Sequence, residues 1–119
     1  IEALSGDQKC VQDMLILFKE RRDLIIKLLN QLPGVKCLTP AGAFYAFPDF
    51  SSFLGKEVDG KLFKDTFDIS EYILHSSSVV TVPGDGFGAP GHIRFSYATN
   101  KQNIEKGIKR IKNVLKKII

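Results

Sequence analysis

Val11, Met14, Leu15, Phe18, Ile25, Leu28, Leu29 and Leu32 recur three, four and seven positions apart along the first part of the chain. Apolar residues at that spacing share one face of a helix. The pattern predicts a long amphipathic helix from about Gln8 to Leu32, ended by Pro33-Gly34. Glu20, Arg21, Arg22 and Asp23 interrupt the stripe, so the middle of this helix is expected to face a polar surface or another domain. Val35–Leu38 then reads as a short strand, Thr39–Gly42 as a turn, and Ala43–Phe47 as a second strand stopped by Pro48. These two strands are expected to pair as a hairpin.

Residues 51–67 carry Gly55, Gly60 and scattered charges without a clear period, and read as a surface excursion. Asp68 followed by Glu71 has the spacing of a helix cap, and the short helix it starts turns Ile69, Tyr72 and Ile73 inward before ending at Ser76–Ser78. Val79–Val82 and Ile93–Ala98 read as strands separated by a glycine-rich loop. Thr99 and Gln102 are placed to cap a last helix whose inner stripe is Ile104, Ile108, Ile111, Leu115 and Ile118. Gly107 interrupts that helix and is expected to permit close packing.

The order helix, two strands, helix, two strands, helix predicts an α+β fold: a small mixed or antiparallel sheet of all four strands, covered on one face by helices. The first helix is long for so small a sheet and reads as a linker. This divides the chain into an interdomain helix, residues 1–34, and an α/β layer, residues 35–119.

Composition narrows the class. The 119 residues supply one domain's worth of chain, and 44% hydrophobic with 25% charged residues is ordinary for a globular protein. No apolar run approaches a membrane span. Cys10 and Cys37 lack metal or redox spacing, which suits a reducing, cytoplasmic setting. The net charge of +4 comes largely from Lys101 onward. Those cations occupy the face opposite an isoleucine stripe, so they read as a solvated helix face and not as a nucleic-acid site. The chain opens at Ile1 without an initiator methionine, and we read it as part of something longer.

Among candidate functional residues Arg94 stands first. Ile93, Phe95 and Tyr97 alternate with Arg94, Ser96 and Ala98, so the arginine points away from the apolar face of its strand. A guanidinium offers a planar fork of donors that fits a carboxylate bidentately. A strand arginine serves equally well as an ion-pair partner for stability, and the residue alone leaves both roles open. If its partner is a ligand, it should be exposed at the sheet edge and lack an internal acid. Gly84–Gly91 superficially resembles a phosphate loop, but a strand follows it where such loops need a helix. His75 and His92 lack ligand-spaced partners, so no metal site is expected. Ser76–Ser78 read as a helix end, and Asp49 and Ser51 as turn formers.

Taken together, the segments resemble the C-terminal small domain of a class I, fold-type-I aminotransferase that uses pyridoxal phosphate, in particular the aspartate aminotransferase branch. The resemblance rests on Val11–Leu29 with Phe18 and Arg21-Arg22-Asp23, on Leu32-Pro-Gly-Val35, Pro40-Ala-Gly-Ala-Phe-Tyr45 and Phe47-Pro48. It continues through Val82-Pro-Gly84, Phe87-Gly88, Gly91-His-Ile-Arg-Phe-Ser-Tyr-Ala98 and Ile104–Arg110. It covers nearly the whole chain apart from 51–67.

The resemblance implies that Arg94 binds the substrate α-carboxylate. It also implies a parent enzyme, a homodimer, that moves an amino group between an aspartate-like amino acid and a 2-oxo acid. The lysine that forms the Schiff base, the aspartate facing the pyridine nitrogen, the phosphate cup and the ring-stacking aromatic have no counterparts here and belong to a missing large domain. No catalytic or cofactor-binding residue is therefore assigned to this fragment, and it is expected to be inactive alone and to bind no cofactor. A stand-alone carboxylate-binding module and a pyridoxal-phosphate lyase of the same fold are the alternatives.

Overall fold

The computed structural model describes residues 1–118. After a single turn α1 (Glu2–Ser5), the long helix α2 runs from Lys9 to Leu29. Strand β1 (Tyr45–Ala46) and a hairpin of β2 (Glu57–Val58) and β3 (Lys61–Leu62) precede helix α3 (Thr66–Ser77). Strands β4 (Val82–Pro83) and β5 (Ile93–Ser96) flank the glycine loop, and α4 (Lys101–Leu115) closes the chain. The result is an α+β fold with a small antiparallel sheet in the order β1-β5-β4, so β5 is the central strand.

Val35–Leu38 does not form the hairpin strand expected of it. Asn30 at the end of α2 takes its place as partner: its amide donates to the Cys37 carbonyl at 2.9 Å and accepts from the Cys37 N–H at 2.9 Å. Only Lys36 still makes a strand-like bridge, and it does so with Asp49. The expected Ala43–Phe47 strand survives as Tyr45–Ala46 and pairs with Ser96 and Phe95 of β5. The sheet therefore has three strands and not four.

Residues 51–67 are also not a surface excursion. Phe53 and Phe63 are fully buried, Val58 nearly so, and the neighbouring Phe50 is inaccessible as well. Phe63 packs on Tyr72 of α3 with ring centroids 5.3 Å apart. The glycines that suggested a loose loop instead allow tight reversals, as at Gly60 with φ 77°.

Both caps sit elsewhere than the spacing suggested. Asp65 caps α3 by accepting from the Asp68 N–H at 3.0 Å, while Asp68 reaches back to the Lys64 N–H at 2.9 Å. Asn100 caps α4 through the Asn103 N–H at 2.8 Å, with Thr99 accepting from the Asn103 amide and Gln102 taking no part. The stripes themselves are buried: Ile69, Tyr72 and Ile73 on α3, and Ile104, Ile108, Ile111 and Leu115 on α4, joined there by Val114. Helix α4 packs against both α2 and α3.

Helix α2 divides in two. Ile25, Ile26 and Leu29 belong to the core, whereas Val11, Met14, Leu15, Ile16 and Leu17 lie exposed on the N-terminal half. The charged middle is spent on surface pairs, with Glu20 reaching Lys101 of α4 at 2.6 Å and Arg22 reaching Asp23 at 2.8 Å.

Candidate functional site

Arg94 is carried by β5, whose alternation buries Ile93 and Phe95 and leaves the arginine half-buried on the other side. The strand is central, so the arginine is not at a sheet edge as its sequence suggested. Val82 of β4 lies opposite it, and β1 flanks the other side. Tyr45 pairs with Ser96, which makes it a diagonal neighbour of Arg94, within reach of a long side chain.

Two aromatic rings hold the guanidinium. Its central carbon is 4.4 Å from the centroid of Tyr45 and 4.8 Å from that of Phe87. Ring faces carry partial negative charge and attract a cation laid over them. Among the described residues no carboxylate lies within ion-pair distance of the Arg94 guanidinium. An arginine in this setting has its donor fork unpaired by any acid, with aromatic contacts in place of one.

Phe87 comes from the glycine loop, which folds as a tight 3-10 turn over Asp85–Phe87. The Gly84 N–H donates to the His92 carbonyl at 2.7 Å, and the Ala89 N–H returns to the Gly84 carbonyl at 3.0 Å. A Cβ at Gly84 would sit 2.5 Å from the Ala89 carbonyl oxygen and would overlap the His92 carbonyl as well. Asp85 ties the turn to α3: its carboxylate accepts from the Thr66 N–H at 3.0 Å and from the Thr66 hydroxyl. These bonds hold the Asp85 carboxyl below the usual carboxylate range.

The other sequence candidates do not join this site. The His92 ring lies against Phe47, centroids 5.3 Å apart, and its Nδ1 is 3.2 Å from the Pro90 carbonyl. His75 is exposed on α3 near Glu71. Ser77 donates to the Ile73 carbonyl at 2.6 Å, and Ser78, with φ 54°, closes the helix. Asp49 accepts from the Ser51 N–H at 2.8 Å as a turn former. No group of three or more His, Cys, Asp or Glu suited to a metal occurs among the described residues. Burial pushes the Cys37 thiol up, away from reactivity. Tyr45 and Phe87 were missed by sequence reasoning: both are aromatic residues in segments otherwise read for turns and apolar faces.

The sequence pattern of the family described as aminotransferase class I and II matches residues 1–111. The chain belongs to that family. It is 42% identical over 115 residues to the aspartate aminotransferase of Streptomyces avermitilis, covering 97% of this chain and 28% of the relative. It is 36% identical to the aspartate/prephenate aminotransferase of Nitrosomonas europaea, covering 95% of this chain and 29% of that protein. The aspartate aminotransferase of Rhizobium meliloti superimposes with a TM-score of 0.94 at 34% identity, over 99% of this chain and 30% of the other. The chain thus spans less than a third of the length of these relatives.

Membership implies pyridoxal phosphate as the cofactor of the whole enzyme. The residues present do not fit its site. A Schiff-base lysine is activated by desolvation or a neighbouring cation. No lysine of the described residues is buried. Lys61, among the less exposed, pairs with Glu71 and Asp68, which raises its pKa above the ordinary lysine value.

Proposed function

We propose that this chain is the C-terminal small domain of a pyridoxal-phosphate-dependent transaminase, and that Arg94 grips the substrate α-carboxylate. The enzyme moves an amino group between an aspartate-like amino acid and a 2-oxo acid and works as a cytoplasmic homodimer. Residues 1–34 form the interdomain helix and residues 35–119 the lid layer. The observation that carries the reading is a half-buried arginine on a central strand, its guanidinium against two rings and lacking an internal acid. The exposed apolar half of α2 supports a further domain packed there.

With the Tyr45 and Phe87 rings against the guanidinium carbon, a carboxylate is received by the N–H donors, where two parallel N–H···O bonds form. Such a grip fixes the substrate's orientation, which is where a positioning residue contributes to rate. The cofactor, held by the remainder of the enzyme, supplies the electron sink.

The test is Arg94→Ala in the complete enzyme. Removing one partner of a desolvated charge pair should cost about 2–5 kcal/mol in kcat/KM. Arg94→Lys should restore part of the loss, because an ammonium lacks the fork. Cofactor absorbance should be unchanged in both. Intact turnover of L-aspartate by Arg94→Ala would dismiss the clamp.

A further inference from the structure

The two rings that flank Arg94 are held by different means. Tyr45 belongs to β1 and is fixed by sheet pairing to β5. Phe87 stands on a loop, and its side chain is 55% exposed, so no core packing holds it in place. An exposed ring beside a cation stays there only if its backbone is held.

The ends of the loop are tied by the Gly84 N–H to the His92 carbonyl and by the Phe50 N–H to the Gly91 carbonyl, each at 2.7 Å, and its Asp85–Phe87 turn is tied to α3 by Thr66. Thr66, the first residue of α3 and fully buried, exchanges hydrogen bonds with Asp85, two residues before Phe87. Its N–H and hydroxyl both donate to the Asp85 carboxylate, and its oxygen accepts from the Asp85 N–H at 3.3 Å. The carboxylate also sits at the N-terminal end of α3, where the helix dipole favours negative charge. Inside the loop, the Phe87 N–H donates to the Gly84 carbonyl at 2.8 Å, which sets the turn that presents the ring.

Resting on the reading of Arg94 as the carboxylate grip, we infer that Phe87 is a positioning residue of that grip and that the Asp85–Thr66 pair is the latch that sets it. With Tyr45 alone, the guanidinium would be free to tilt away from the strand and to offer one face to water. With both rings in place, the guanidinium carbon is held by two aromatic contacts, which limits how far its donor fork can swing. The latch therefore determines how well a planar carboxylate is received, although neither Asp85 nor Thr66 touches it.

The experiment is steady-state turnover of the complete enzyme with L-aspartate as amino donor, alongside thermal melting. Phe87→Leu should raise KM about tenfold, the equivalent of one cation–π contact. Phe87→Tyr, which keeps a ring, should return KM to within about twofold of the parent. Thr66→Val and Asp85→Asn should each raise KM severalfold and leave kcat less affected. If Thr66→Val does not fold, Asp85→Asn carries the latch test alone. Melting of Phe87→Leu should stay close to the parent, since an exposed side chain contributes little to stability.

An unchanged KM in Phe87→Leu, with Arg94→Ala still impaired, would overturn the brace and leave the clamp standing. An effect of Phe87→Leu without any effect of Asp85→Asn would overturn the latch. Unchanged turnover in Arg94→Ala would remove the clamp, and the brace with it.

Discussion

Phe63→Ala should cost the domain several kcal/mol, even though it lies in the stretch with the least regular sequence. Phe63 is fully buried against Tyr72, and its own backbone closes the hairpin: its N–H donates to the Lys56 carbonyl at 2.9 Å and its carbonyl accepts from the Gly55 N–H at 2.8 Å. An aromatic side chain of this size removes on the order of 200 Å² from water, worth about 5 kcal/mol at about 25 cal/mol per Å². Alanine keeps only a minor share of that area, and the vacated space beside the Tyr72 ring of α3 cannot fully collapse. The expected loss is about 3–5 kcal/mol. Urea unfolding followed by circular dichroism measures it, with Leu62→Ala as the control. Leu62 is the adjacent residue but 45% exposed, and its truncation should stay within about 0.5 kcal/mol. If Phe63→Ala cost no more than Leu62→Ala, residues 51–67 would be a surface excursion and Phe63 would not be packed on Tyr72.

Further outcomes follow from the glycines and from Asp85. Gly84→Ala should destabilise by about 1–3 kcal/mol, because the added carbon meets two backbone carbonyls that cannot yield without opening the turn. Gly42→Ala, where nothing lies within 4 Å and φ is not positive, should be near neutral in the same urea unfolding assay. Asp85 has a folded pKa below its unfolded value, so its contribution is present above the ordinary carboxylate range and is lost as pH falls through the lower folded value. An NMR titration of its carboxyl carbon should show that depressed midpoint, and Thr66→Val should move it back up. A midpoint at the ordinary aspartate value in the parent would contradict the Thr66 contact.

Periodicity made the helices legible because burial on one face is a local property of sequence. The stripes of α3 and α4 lie inside as their spacing required, and so does the C-terminal half of α2. Strand pairing was less legible because it depends on which backbone groups remain available. The hairpin of Val35–Leu38 with Ala43–Phe47 failed once Asn30, an unremarkable polar residue at a helix end, satisfied Cys37. Residues 51–67 misled for a related reason: Phe53, Val58 and Phe63 stand five positions apart, a spacing that fits neither a helix nor a strand, and a 3-10 turn and a hairpin of two-residue strands carry them inward.

Arg94 could be singled out because a charged residue on an apolar strand is a local contrast, but its surroundings could not. Tyr45, Phe87 and Asp85 come from segments separated by up to forty-two positions, 45 to 87, and only the folded loop brings them to one place. The two rings depend on different parts of the fold. Tyr45 lies 4.3 Å from Phe44, centroid to centroid, and Phe44 in turn meets Phe18 of α2 at 6.5 Å, so this ring is seated by the sheet and the long helix. Phe87 is seated by α3 through Thr66. Damage to either layer therefore reaches the guanidinium through one ring while the other stays in place. A lesion in α3 that leaves the core folded should loosen the proposed grip on a carboxylate before it lowers the melting temperature, whereas a lesion in the α4 stripe should do the reverse.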